Sequence, residues 1–133
     1  MILQTAVDTF LCGCSSEKPY SDCCAPIHQD LREATTAESL MRARYCAFTK
    51  GLIDFLYNSF HPTTRRFQQK AAIAQWASAN KWMQLEVLRA TETTVEFKAH
   101  YLNANGEVEI HHEKSTFKRT QGIWYYVDGR LLS

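Results

Sequence analysis

The chain changes period partway along its length. Between positions 35 and 50, Ala37, Leu40, Met41, Tyr45 and Phe48 recur at helical spacing and form one apolar stripe. Thr35-Thr36-Ala37-Glu38 reads as a capping box, with Thr35 as N-cap and Glu38 three residues on. Gly51 is a natural residue just past the end of such a helix. A second short helix is predicted over 52–60. His61-Pro62 breaks it, because proline disfavours helix at the residue before it. A third is predicted over 67–80, with Ala72, Ile73 and Trp76 as core positions. From Lys81 the period becomes two. Strands are predicted over 83–90, 94–102, 107–119 and 123–128, with hairpins at Asn105-Gly106 and Gln121-Gly122. Helices followed by an antiparallel meander give an α+β class, a curved sheet folded over helices. Along the third strand the apolar phase passes from Val108 and Ile110 to Phe117, an odd interval. It predicts a β-bulge around 112–115.

Arg44 interrupts the apolar stripe of the first long helix. A guanidinium there must be paired or must face a cavity. One reading is a core arginine held by a carboxylate and by backbone carbonyls. The other is an arginine lining a pocket that takes an anionic ligand.

Size and charge change the picture little. The chain has 133 residues, 45% of them hydrophobic, and a formal net charge of +1. That suits one globular domain with a small appendage. The near-neutral charge and the lack of a basic stripe argue against a nucleic-acid partner. No apolar run approaches the roughly 20 residues that span a bilayer, so no membrane insertion is expected. The first eleven residues lack a cationic start and carry Asp8, so they do not read as a signal peptide. The expected location is the cytosol, where thiols stay reduced.

The cysteines change the picture most. Four of the five lie at positions 12, 14, 23 and 24, in the pattern C-x-C-x8-C-C. In a reducing compartment such clustering favours a metal over disulfides, and Cys23-Cys24 would form only a strained bridge. Four thiolates around a tetrahedral centre select zinc, less often iron, and leave no open position for water. Cys12, Cys14, Cys23 and Cys24 are the expected ligands. His28 is an alternative to Cys24 as the fourth, and a metal-free or redox-active thiol set is the alternative to a metal. Lys18 is placed to offset the charge of the thiolates. Cys46, in the helical stretch, reads as a lone thiol.

Two resemblances follow from these residues. Cys12-Gly13-Cys14-Ser15-Ser16-Glu17-Lys18-Pro19-Tyr20-Ser21-Asp22-Cys23-Cys24 resembles the SEC-C motif, the zinc-binding tail of the SecA translocation ATPase. Cys12, Cys14, Ser16, Lys18, Tyr20, Cys23 and Cys24 match it. Gly13 stands where proline is usual, and Ser15 and Glu17 replace glycines that suit positive φ. An altered loop is therefore expected around intact ligands. The second half resembles the cone fold of the nuclear transport factor 2 superfamily. The stretches 36–45, 61–65, 113–117 and 124–129 make the whole chain similar to the YchJ family, bacterial proteins that join a SEC-C motif to such a cone. The resemblance implies a zinc knuckle over 1–30 and a cone domain over 31–133. It supplies a fold and a metal but no activity.

Candidate pocket residues are Arg44, His61, Arg65, Glu113, Ser115, Trp124 and Asp128. His61 and Asp128 have the makings of a base and its orienting carboxylate. Glu113 is a partner for Arg44, and Tyr45, Phe60, Trp76, Trp124 and Tyr126 are apolar walls. His111-His112 is a weak metal candidate, since neighbours on a strand point to opposite faces. No spacing is diagnostic of catalysis, so the sequence names no catalytic residue and leans away from an enzyme. It favours a binding or adaptor protein whose knuckle contacts a protein partner or staples the N-terminus. The alternative is a small-molecule-binding or catalytic cone. A homodimer through the exposed sheet face also fits.

Overall fold

The computed structural model describes residues 11–132. Residues 1–10, which carry the start of the expected knuckle domain and the reading against a signal peptide, lie outside the described residues.

A tight loop over 12–19 leads through a single 3-10 turn at Tyr20–Asp22 into a short helix, α1 (Ala25–Gln29). After a second 3-10 turn at Leu31–Glu33 comes the longest helix, α2 (Ala37–Lys50). Its N-cap is Thr36, one residue later than predicted. The Thr36 hydroxyl accepts from the Ser39 amide at 3.0 Å, and the Ser39 hydroxyl accepts from the Thr36 amide at 3.1 Å. Two contacts explain the shift. The Thr35 carbonyl is taken by the Trp124 indole N–H at 3.2 Å, and Glu38 accepts instead from Arg42 one turn on, at 3.1 Å. Gly51 ends the helix with φ +70°, as its position suggested.

Three helices follow: α3 (Ile53–Asn58), the single-turn α4 (Pro62–Arg65) and α5 (Lys70–Ala79). In α5 the buried positions are Ile73 and Ala77. The predicted core residues Ala72 and Trp76 line a cavity instead, and Trp76 remains 38% exposed.

The sheet is an antiparallel meander in the order β1-β2-β3-β4: Lys81–Ala90, Thr94–Leu102, Val108–Thr120 and Ile123–Leu131. Its concave face buries Leu85, Val95, Phe97, Ala99, Phe117 and Trp124 against the Leu40–Met41–Tyr45 face of α2. This is the expected cone. No helix among the described residues is long and apolar enough to cross a membrane.

The bulge lies elsewhere than predicted. The β2–β3 register is unbroken from Thr94↔Thr116 to Leu102↔Val108. The break is between β3 and β4, where Thr116 pairs Asp128 and Phe117 pairs Tyr126, leaving Val127 as the extra residue. The odd apolar interval in β3 has another cause. Val108 and Ile110 sit on the exposed face, 65% and 53% accessible. The inward phase runs His111, Glu113, Ser115, Phe117, and the first three are polar because they face a cavity.

Candidate metal centre and cone cavity

In the knuckle the Sγ atoms of Cys12, Cys14, Cys23 and Cys24 all lie within 4.8 Å of one another. Cys14–Cys23 is 3.5 Å and Cys23–Cys24 is 3.9 Å. Thiolates bound tetrahedrally at about 2.3 Å from a metal stand about 3.8 Å apart, so the cluster already has the size of a coordination shell. The crowded thiols shift one another in both directions: contact with Cys14 lowers Cys12 to about 6, and contact with Cys12 lowers Cys46 to about 3. Burial pushes Cys23 up to about 11, and contact with Cys12, Cys14 and Cys46 pushes Cys24 up. A bound cation would remove that cost.

His28 does not join the cluster. Its Nε2 donates to the Ala43 carbonyl at 2.7 Å, so its Nδ1 accepts from the Tyr20 hydroxyl, also at 2.7 Å. Nε2 docks α1 onto α2, and Nδ1 ties α1 to the turn at Tyr20. Cys46 is not a solitary thiol. It is wholly buried on α2, and its Sγ lies 3.8 Å from that of Cys12. Gly13 lies where the loop crosses this helix, and a Cβ there would stand 3.1 Å from Thr49 Oγ1, a tight contact, and 3.6 Å from Cys46 Sγ, an ordinary one. Arg42 donates to the Cys14 carbonyl at 3.0 Å.

The altered loop keeps the backbone shape that glycines would give. Ser15 has φ +68° and Glu17 φ +66°. The left-handed region costs a non-glycine residue about 1 kcal/mol or more, so each substitution carries strain. Ser15 offsets its share: its hydroxyl accepts from the Leu85 amide on the edge strand β1 at 3.1 Å. Glu17 is exposed.

Between α2, α5 and the concave sheet lies a cavity of about 440 Å³. Arg44 is buried in its wall. Its Nη1 donates to the Leu56 carbonyl at 3.0 Å and to the Ser59 hydroxyl. The guanidinium carbon lies over the Tyr126 ring, 4.2 Å away, and over the Phe60 ring, 4.6 Å away, the two rings standing edge-to-face 5.3 Å apart. No carboxylate among the described residues pairs with it. Burial lowers it to about 10, so it stays charged at neutral pH.

Glu113, its side chain 12% accessible, is the second charge in the wall. Its Oε1 accepts from His111 Nε2 at 2.7 Å. Its Oε2 accepts from Ser115 Oγ at 2.5 Å and from Tyr126 Oη at 2.8 Å. Burial acts to raise this carboxyl, but the three donors outweigh it and hold it below its ordinary value. Tyr126 therefore stands between the two charges, its ring against Arg44 and its hydroxyl on Glu113. The β4 bulge makes this possible. It brings Gly129 opposite Ser115 and leaves Asp128 opposite exposed Thr116. A Cβ at Gly129 would fall 1.9 Å from Glu113 Oε2 and 2.7 Å from Tyr126 Oη.

Of the candidate pocket residues, Arg44, Glu113, Ser115 and Asp128 line the cavity. The other three are placed elsewhere. His61 caps α4 through Thr63 and contacts Thr120 Oγ1 through Nε2 at 3.0 Å, with its ring edge-on to Tyr125. It does not meet Asp128. Arg65 donates to the Phe60 and Asn58 carbonyls behind α3. Trp124 is buried and pins β4 to Thr35. Residues the sequence reading did not assign to the pocket complete it: His111, Trp82, Phe97 and Gly129. His111 was legible as the first of three polar residues at alternate positions before buried Phe117.

Relatives place the whole arrangement. A family model described as YchJ, middle NTF2-like domain, matches residues 36–129. A UPF0225 protein of Geobacter sulfurreducens is 36% identical over 128 residues, covering 91% of this chain and 79% of its own. One from Photorhabdus laumondii is 38% identical over 128 residues, covering 91% and 80%. The solution structure of a SEC-C motif containing protein from Rhodopseudomonas palustris superposes with a TM-score of 0.84 at 32% identity, covering 92% of this chain and 98% of its own. A SEC-C motif containing protein from Psychrobacter arcticus gives 0.73 at 27%, covering 94% and 86%. With the knuckle docked on a cone and the family match spanning most of the chain, the protein belongs to the YchJ family.

Proposed function

We propose that the cone is the working part of the protein and binds a small, largely apolar molecule in its cavity, while the knuckle is a structural zinc site that builds the N-terminal segment into the core at α2. The observation that carries this is Arg44, buried in the wall of an open cavity without a carboxylate partner among the described residues. Protein interiors are close-packed, and a cavity of this size with charged residues in its wall is costly unless something enters it. Its aromatic walls and few converging polar groups fit a ligand site. Arg44 and Glu113 offset one another, so an uncharged ligand suits the cavity better than the anion that Arg44 alone suggested.

Zinc is favoured over iron by the compact, buried four-thiolate set, which needs no redox chemistry. Metal analysis of purified protein should find one zinc per chain, and a metal-free protein with native stability would remove this part of the reading. The adaptor reading retains one supporting observation. Cys23 is only half-buried, in a polar groove with Lys18, Asp22 and Arg42. Pull-downs with and without the knuckle would have to give different partner lists. The cavity reading is tested by titrating a set of uncharged aromatic fragments and following amide NMR shifts. Shifts should centre on Trp76, Trp82 and Tyr126. If no fragment perturbs the cavity, the reading is wrong.

A further inference from the structure

His111 and Glu113 occupy alternate positions on β3 and both line the cavity. Their contact fixes the imidazole tautomer. A carboxylate can only accept, so Nε2 carries a proton, and in the neutral ring Nδ1 holds the lone pair. Nδ1 has no hydrogen-bond partner among the described residues. The ring keeps 26% of its side chain accessible, with Trp76 and Phe97 beside it.

The carboxylate behind it is itself held in place. Ser115 and Tyr126 occupy its second oxygen, and the bare backbone of Gly129 leaves room for it. A buried carboxylate with three donors costs more than an apolar side chain of similar volume would, so stability alone does not account for it.

We propose that His111 is a general base of the cone cavity, positioned by Glu113, acting on a small uncharged substrate whose acidic O–H or C–H bond is conjugated with a carbonyl group or an aromatic ring. This rests on the cavity reading above. The lone pair on Nδ1 takes the substrate proton. The electron pair of the broken bond stays on the substrate as a delocalised anion. Returning the proton to a different substrate atom gives an isomer and restores neutral His111, with no oxidant or reductant consumed.

The charge pattern favours this step. Before transfer, Arg44 and Glu113 cancel and the substrate is neutral. Afterwards the imidazolium faces Glu113 and the substrate anion shares the cavity with Arg44. Two opposite pairs are then present and the net charge is unchanged. Preorganised charge of this kind stabilises an anionic intermediate without reorganisation. The titratable neighbours in the cavity wall are Glu113, Arg44, Tyr126, Tyr45 and Asp128.

The test uses two probes of matching shape, 4-nitrophenol and 4-nitroanisole, with the full chain in its metal-bound form. The first can lose a proton and changes colour when it does; the second cannot. Both should give cavity NMR shifts. Bound 4-nitrophenol should appear as the phenolate, its acidity raised about tenfold or more, equivalent to one pH unit. His111→Gln should abolish that colour shift while 4-nitroanisole still binds, which also shows that the variant is folded. Glu113→Gln should reduce the shift with His111 intact. If 4-nitrophenol binds in the cavity but stays neutral, or if His111→Gln leaves the shift unchanged, the base assignment is wrong and the binding reading survives. If neither probe perturbs the cavity, both fall.

Discussion

The knuckle and the cavity are built by opposite means. In the knuckle four cysteines arrive within thirteen residues, and surrounding polar groups find partners: His28 through both nitrogens, Ser15 on Leu85, Arg42 on the Cys14 carbonyl. The cavity draws Arg44 from α2, Glu113 and His111 from β3, and Gly129 from β4, and it leaves groups facing open space. The first arrangement resembles a closed structural centre, the second a site kept open for something else. A closed centre shows itself through stability. An open one shows itself through binding, and its residues can be removed at modest cost to the fold.

The largest expected effect tests the closed half. Cys12, Cys14 and Cys24 belong to the same buried cluster as Leu40, Met41 and Phe117. Stripping the metal, or Cys14→Ser, should therefore melt the whole chain in one transition, not merely loosen the segment up to Asp30. Structural zinc contributes about 10 kcal/mol or more to small domains, comparable to a whole domain's stability. Thermal circular dichroism with and without a chelator reads this. A cone that keeps its transition after chelation would reduce the knuckle to a detachable staple.

Next is Gly129→Ala, which forces a methyl group onto Glu113 and Tyr126 and should cost about 1–3 kcal/mol in urea unfolding. Combining it with Glu113→Ala should recover part of the loss. Strict additivity would show that Gly129 matters for some other reason.

Arg44→Met sharpens the contrast directly. It leaves the Leu56 carbonyl and Ser59 without their charged donor, yet removes a buried charge. The expected cost is no more than about 2 kcal/mol. Leu40→Ala, at a fully buried position four residues before Arg44 on the same helix, should cost about 2–5 kcal/mol. Fragment binding should respond in the reverse order.

Glu113 supplies a pH dependence of known sign. Its carboxyl is held below the ordinary 4.5, so its contribution is present above that value and is lost as the pH falls through the folded-state value. The stability difference between the wild type and Glu113→Gln should be flat above about pH 5 and shrink below it. A difference that grows on acidification would contradict the hydrogen-bonded carboxylate.

The smallest effect separates the two strained loop positions. Glu17→Gly relieves φ +66° at an exposed residue and should stabilise by up to about 1 kcal/mol. Ser15→Gly relieves similar strain but loses the bond to Leu85, so its net change should be near zero.

The clustering of four cysteines, the long helix and its Gly51 stop, and the four strands were legible because each depends on neighbours within a few positions. Local signals failed where two groups competed for one role. Thr35 and Thr36 can both cap a helix, and only the Trp124 indole, 89 residues away, takes the Thr35 carbonyl. His61 and Asp128 have compatible chemistry, but the extra residue at Val127 sets the phase of β4 and puts Gly129 where an unbroken strand would put Asp128. Ala72 and Trp76 have the spacing of core residues, and nothing in that spacing distinguishes a core from a cavity wall.

The sequence by itself therefore marked four thiols as candidates to share one cation, because closing loops this short costs little chain entropy. It also determined that an arginine sits on the apolar face of α2. Only the tertiary structure decided what that arginine meets. Arg44 and Glu113 are separated by 68 residues of chain, and a single bulged residue on a third element lets Tyr126 stand between them and Gly129 make room. Such an arrangement depends on register and packing across the sheet, which no local pattern encodes.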